Sequence, residues 1–352
     1  MEMGNKIRAL RYKASMTQEE LAEELGVSAQ AVSKWENGVT MPDISLLPAL
    51  AEVFGVSIDE LFDLTAEQKL RRIENSLDIQ EELEPDVFRE YEEFLTGRLR
   101  EDGEKGKVLS LLAQLYHHRL EACARRSSRY AREAIRLAPE KKDCQWLLQK
   151  AEGAAAWDWN VSNHAQTIEF YKSVLENDRR DPPAVLPYYD LMDNLIADHR
   201  AREAAAYLRR YARLPGHKPF LVPVYEAAIA LSEYDAPRAD GILEKALRDF
   251  AGEPGMLFEA AQYYARKCDY DQAIRYYEAS YAAEENKKPR FVDALQAIAM
   301  IREIRGDYRQ AADTWRRVLD AQKTEWGLTE ETEVQETERQ IRRLEERERN
   351  RA

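Results

Sequence analysis

Gln30, Ser33, Lys34 and Asn37 lie at i, i+3, i+4 and i+7 in the stretch VSAQAVSKWENG, residues 27–38. That spacing puts an amide, a hydroxyl, an ammonium and a second amide on one helix face. A helix usually buries residues at this spacing, but here they are polar, and Val32 and Trp35 supply an apolar face on the other side. The stripe therefore faces solvent. It carries no carboxylate, although the surrounding segment abounds in them, because Glu36 falls off it. A face chosen for solubility alone would carry Glu; a face that approaches phosphates cannot. The chemistry on offer is recognition of bases and phosphates. Gln30 can make the bidentate amide contact to adenine N6 and N7, and Lys34 can donate to guanine O6 and N7 or to a phosphate.

Five short helices are needed to hold that face. Asn5 to Ala14 carries Ile7 and Leu10 on one side. Thr17-Gln18-Glu19-Glu20 is a capping box and opens a helix bearing Leu21, Ala22 and Leu25, against which Val32 and Trp35 can pack. Gly26 stops that helix, Ser28 caps the next, and Gly38 ends it. Ser45 is expected to cap a fourth helix, with Pro48 in its first turn and Leu46, Leu47, Leu50, Ala51 and Phe54 on its apolar face. Gly55 ends it, and Ser57 starts a fifth through Leu61 and Phe62.

Over residues 4–62, with TQEELAEELGVSAQAVSKWENG as its centre, the sequence resembles the phage repressor and Cro family, the XRE-type regulators. The resemblance implies a helix-turn-helix whose second motif helix, residues 28–37, enters the major groove. It implies that Gln18 donates to a phosphate from a helix N-terminus and that Ala29, Gln30 and Lys34 face base edges. Ser28, Ser33 and Asn37 then take backbone-contacting or flanking positions, and Arg11 and Glu36 match the family's buried ion pair.

Composition bounds the rest. The 352 residues are 44% apolar and 33% charged, with a net charge of −13. Bulk basicity does not drive nucleic-acid binding here, since even Met1–Leu64 holds five Lys/Arg against eleven Asp/Glu. Any such binding rests on placement. No apolar run approaches the roughly 20 residues that span a bilayer, so a cytoplasmic protein without membrane contact is expected. Cys123, Cys144 and Cys268 show neither disulfide nor zinc spacing and are expected to act as small core residues. No phosphate-binding glycine loop, GxSxG elbow or HExxH occurs, so neither an enzyme nor a metal or other cofactor is expected.

From about residue 104 the chain repeats itself. CDYDQA at 268–273 and GDYRQA at 306–311 are copies 38 residues apart, each between two helical patterns. Anchored on that Ala, weaker copies fall at Ser127, Thr167, Ala204 and Ala239, giving six expected helix pairs. This segment resembles the tetratricopeptide repeats, with Ala134, Val174, Tyr211, Ala246, Ser280 and Val318 seven residues past the anchors and Pro139 closing the first copy; Pro182, Pro183 and Pro187 interrupt the pattern. That resemblance puts Tyr189, Asp193, Phe258, Gln262, Arg266, Gln296 and Met300 on a concave, ligand-binding surface. The repeat tyrosines are otherwise expected to pack in the core.

The expected fold is all-α: a five-helix Cro/C1-type helix-turn-helix domain over 1–64, a helical linker over 65–103, a tetratricopeptide-like (TPR-like) α-solenoid over 104–328, and a charged, solvated helical tail over 329–352. The expected protein is a sequence-specific transcriptional regulator that binds a double-stranded DNA operator as a homodimer. Its repeats would sense a ligand or dimerise, and the pairing of domains resembles the Gram-positive regulators of short signalling peptides. The alternative is a DNA-tethered scaffold, or an antitoxin-like protein, whose repeats bind a partner protein without a small ligand.

Overall fold

The computed structural model describes residues 2–56, 58, 61, 66–100, 105–140, 142–153 and 163–351, and among these there is no strand. The chain divides into two compact units, residues 1–123 and 124–352.

In the first unit, α1 (Glu2–Lys13), α2 (Gln18–Glu24), α3 (Ala29–Glu36) and α4 (Leu47–Phe54) enclose one core. The α1 helix starts three residues earlier than the apolar spacing predicts, and the extra turn buries Met3. Gly4 explains how. A Cβ there would sit 2.1 Å from the Trp35 carbonyl oxygen, so α1 crosses the end of α3 closer than any side chain permits. Both halves of the capping box form: the Thr17 hydroxyl accepts from Glu20 N at 3.1 Å, and Thr17 N donates to Glu20 Oε2 at 2.6 Å. Ser28 caps α3 by accepting from Ala31 N at 3.2 Å.

The fourth helix departs from expectation. Asp43, not Ser45, provides the cap, accepting from both the amide (2.9 Å) and the hydroxyl (2.6 Å) of Ser45 to open a 3-10 turn, Ile44–Leu46, that feeds α4. A carboxylate can accept both bonds at once; Ser45 competes less well because its hydroxyl is spent on Asp43. The expected fifth helix, Ser57 to Phe62, falls largely outside the described residues, though Leu61 is buried in this core. Ile7, Leu21, Val32 and Leu50 are fully buried, each worth about 1.5–3 kcal/mol relative to exposure.

Thr65, expected to open the next helix, also lies outside the described residues. Helix α5 (Ala66–Ile79), α6 (Pro85–Arg98) and the first turns of α7 (Lys105–Leu137) share a second core of Leu70, Ile73, Phe88, Leu95, Leu111 and Leu115. Pro85 stands in the first turn of α6, where its missing N–H leaves no bond unmade.

The second unit continues with α8 (Lys142–Ala151) and α9 (Ala165–Asn177) and then with four antiparallel pairs. These are α10 (Leu186–Ala197) with α11 (Ala201–Tyr211), α12 (Leu221–Ser232) with α13 (Ala236–Asp249), α14 (Pro254–Arg266) with α15 (Tyr270–Ala283), and α16 (Asp293–Ile304) with α17 (Tyr308–Thr324). The anchors Ala204, Ala239, Ala273 and Ala311 are all fully buried where the helices of a pair cross. Each pair turns in the same way: His199, Tyr234, Cys268 and Gly306 take left-handed φ of 55–77°. The next residue's N–H then reaches back to the carbonyl five residues earlier, at 2.8–3.0 Å.

The two remaining anchors fail. Ser127 lies inside the unbroken 33-residue α7, so no turn separates two helices there. Thr167 is exposed, and the neighbouring Ile168 is the buried residue. The cysteines also differ from expectation, since Cys123 and Cys268 are exposed and Cys144 is half-buried. The tail is not solvated on all sides: α18 (Thr332–Arg351) buries Val334, Thr337, Ile341 and Leu344, spaced i, i+3, i+7 and i+10, and packs on α17. Its Arg343 pairs with Glu303 (2.7 Å) and its Glu338 with Lys323 (3.1 Å).

Candidate nucleic-acid interface and ligand cavity

Gln30 and Lys34 of α3 and Asn37 at its C-terminal cap are exposed, with Ala29 and Ser33 half-buried beside them and Ser28 exposed at the N-terminal cap. Val32 and Trp35 face the core. The acid that the stripe avoids is withdrawn altogether. Both Glu36 oxygens are bound by Arg11, Nε to Oε1 at 2.6 Å and Nη2 to Oε2 at 2.9 Å, and Gln18 Nε2 donates to Oε2 at 2.7 Å. Burial pushes the Glu36 carboxyl up, but the bonds from Arg11 and Gln18 outweigh it and hold it below the usual range. The Arg11 guanidinium also donates to the Met16 carbonyl at 2.8 Å, so one ion pair fixes α1, the loop before α2, and the end of α3.

Gln18 is thus tied into the fold through one amide N–H, which leaves a second N–H at the start of α2 for an outside acceptor. Asn37 is steadied by Arg8, whose Nη2 donates to its Oδ1 at 2.7 Å. Sequence reading missed Arg8, although it lies three residues before Arg11 and so on the same face of α1.

The second unit holds a cavity of about 880 Å³ lined by residues of α10, α12, α14 and the start of α16. Five of the seven residues assigned to a concave surface meet there: Tyr189, Asp193, Phe258, Gln262 and Arg266. Gln296, half-buried, and Met300, exposed, do not line it. The cavity adds residues that the repeat register passed over, chiefly Lys218, Phe220, Tyr225 and Glu259. Helix α12 is apolar apart from Glu226, Tyr225 and Ser232 and shows no clear stripe, but Tyr225 sits in it four residues after the buried Leu221, at the same spacing as Tyr189 and Asp193 in α10.

The walls are aromatic and fixed. Tyr189 stacks on Tyr225 with centroids 6.5 Å apart, and its hydroxyl lies 3.2 Å from that of Tyr211, which accepts from Lys218 N at 2.7 Å. Two acids stand among them. Asp193 is open to the cavity but hemmed in elsewhere, and burial pushes its carboxyl up against the pull of the Tyr225 hydroxyl and Arg266. Burial likewise pushes Glu259 up, helped by Asp193 and opposed by Arg266 and Lys218. Those cations act on Glu259 across the cavity.

With this geometry in view, comparison with known proteins gives consistent results. Residues 7–61 match the helix-turn-helix family. The transcriptional activator BcrR of Enterococcus faecalis is 46% identical over 61 residues, 17% of this chain; the chain spans only 30% of that relative's length. A helix-turn-helix regulator of Methanocaldococcus jannaschii is 40% identical over 60 residues, 17% of this chain and 91% of the relative. The chain belongs to the helix-turn-helix transcriptional regulators, a class of DNA-binding proteins. Among solved structures, Bacillus thuringiensis PlcR in complex with the peptide PapR7 and DNA is 12% identical with a TM-score of 0.29, over 81% of this chain and 94% of that one. The apo competence regulator ComR of Streptococcus vestibularis is 14% identical with a TM-score of 0.23, over 88% and 98%.

Proposed function

We propose that the protein is a cytoplasmic, sequence-specific transcriptional regulator, not an enzyme, that binds a double-stranded operator as a homodimer with α3 in the major groove. Gln30 reads an adenine, Lys34 a guanine or an adjacent phosphate, and Ala29 a thymine methyl, while Gln18, Ser28, Ser33 and Asn37 set the register on the backbone. The observation that carries this reading is the withdrawal of Glu36: the acid nearest the stripe is fully buried under Arg11 and Gln18, leaving a solvent face of amides, a hydroxyl and an ammonium with no carboxylate. Gln30→Ala is expected to cost about 1–3 kcal/mol at the cognate site and to relax base preference at one position, whereas Gln18→Ala weakens binding to all sequences alike. Competition against a randomised operator library separates the two, and an unchanged preference in the Gln30 variant would refute the assignment.

The repeats sense a small ligand. An aromatic-walled space of about 880 Å³ has the size of a small-molecule site and is small for a protein partner. Its Asp193, Glu259, Lys218 and Arg266 suit a short peptide carrying charges of both signs. Operator affinity measured with and without pooled short synthetic peptides, for the parent and for Arg266→Ala and Gln262→Ala, tests this. Loss of the response with ligand-free binding intact supports it. No response in the parent favours the partner-protein reading instead.

A further inference from the structure

The ion pair that closes the helix-turn-helix holds one cation more than it needs. Arg11 meets both oxygens of the fully buried Glu36 and so cancels its charge. Arg8, one turn earlier on α1, adds only a long approach of Nε to Glu36 Oε2, at 3.5 Å, and 38% of its side chain is open to solvent. Two guanidiniums thus share one carboxylate, and among the described residues Arg8 pairs with no other acid. A positive charge is left over at the end of α3, in a segment that is otherwise net negative. As a brace the second guanidinium is redundant, because Arg11 already joins α1 to α3 by two bonds.

The short bond that Arg8 makes is to a neutral group: its Nη2 donates to Asn37 Oδ1 at 2.7 Å. An amide can turn either its oxygen or its NH2 outward, and only the NH2 can meet a phosphate. A guanidinium has donors alone, so it takes the oxygen and settles the choice. Asn37 Nδ2 is then held by nothing stronger than a 3.4 Å approach to Ser33 Oγ, which leaves its N–H groups for use. Gln18 reaches the same place from α2. Its Nε2 donates to the Glu36 oxygen that Arg8 approaches, and its second N–H is spare. Donors from α1, from the start of α2 and from the end of α3 therefore stand around one point. We propose that Arg8 is a positioning residue for the DNA backbone: it turns the Asn37 amide NH2-outward and brings its own charge to a phosphate that Asn37 and Gln18 also hold. This deepens the DNA-binding reading and rests on it, adding a charge-assisted bond where that reading has two neutral amides. A phosphate grip carries no base information, so its loss must fall on all sequences alike.

Affinity of the full chain between about 50 and 200 mM salt tests this, on a duplex selected from a randomised library and on a scrambled one. Arg8→Ala is expected to weaken both about tenfold and to flatten the slope of log affinity against log salt by about one for each copy bound. Arg8→Lys keeps the charge without the fork, so it should keep the parent slope and recover only part of the affinity. Asn37→Ala should cost the parent about fivefold but the Arg8→Ala variant less than about twofold, because without Arg8 the amide is no longer held. Thermal melting of each variant by circular dichroism should match the parent, since Arg11 keeps the brace. An unchanged slope in Arg8→Ala, or losses that simply add in the double variant, overturns the proposal. A parent that binds neither duplex overturns the DNA-binding reading itself. A parent that binds, and that loses base preference through Gln30→Ala while Arg8→Ala leaves the slope unmoved, overturns the role of Arg8 alone.

Discussion

Glu36 and Glu259 are both carboxylates drawn away from water, one in each unit, and the chain treats them in opposite ways. Glu36 has a bidentate guanidinium and an amide on its oxygens, and its charged form is favoured despite burial. Glu259 has Arg266 and Lys218 acting across a cavity and Asp193 working against it, and its charged form is disfavoured. The first arrangement finishes a rigid frame that must present α3 at one angle. The second leaves the carboxyl short of partners on the wall of a cavity. A compensated buried acid thus belongs to the scaffold here, and an under-compensated one stands where a ligand is proposed.

Removing Arg11 should break this contrast most severely. Arg11→Met strands the Glu36 charge and is expected to cost about 3–5 kcal/mol. Hydrogen exchange on the full chain should show residues 2–56 losing protection while residues 186–324 keep theirs; uniform loss would mean the two regions do not hold their stability separately.

Acid should then divide the regions. Because the Glu36 carboxyl is held down, its contribution is present above the ordinary glutamate value of about 4.3 and is lost as pH falls through the lowered value. Glu259 runs the other way: pushed up, it favours the fold below that ordinary value and loses that contribution as pH rises through its raised one. Exchange protection on going from pH 7 down to about pH 2, through the range below the ordinary glutamate value, should therefore fall first in α1 to α3. Loss that begins in α14 would reverse the assignment.

Glu259→Gln sharpens the comparison further. It should raise the thermal midpoint of the ligand-free protein modestly at neutral pH and remove the ligand response, whereas Glu36→Gln lowers stability. A Glu259→Gln variant that is less stable than the parent would make that acid structural.

The smallest effect concerns a turn. Tyr234 holds a left-handed φ of 62° while 87% exposed, so Tyr234→Gly gives up little burial and should stabilise the repeats by about 1 kcal/mol in urea unfolding.

The helix-turn-helix is written locally, in a capping box, a Ser cap and turns within some twenty residues, and so its elements read directly. What stayed hidden there are bonds between distant residues, such as Gln18 to Glu36 and Arg8 to Asn37, which no local pattern encodes. In the repeats, the buried anchor Ala found four of six pairs because close helix crossing demands a small residue. It failed at Ser127 and Thr167, where no such crossing exists. The same register brought five residues to the cavity and carried Gln296 and Met300 off it, as expected when each pair is rotated on the last.

The packing of α18 on the last pair has a consequence for how the protein is made. Synthesis runs from the N-terminus at about 5–20 residues per second, so the helix-turn-helix is complete long before α18 exists. Until Ile341 and Leu344 arrive, their neighbours in the core that joins them to α17 lack that cover. A transcript cut short near codon 330 would yield a polypeptide able to hold an operator but left with a sticky end. Cellular quality control would meet it as a client for chaperones or proteases before it could compete with the finished regulator.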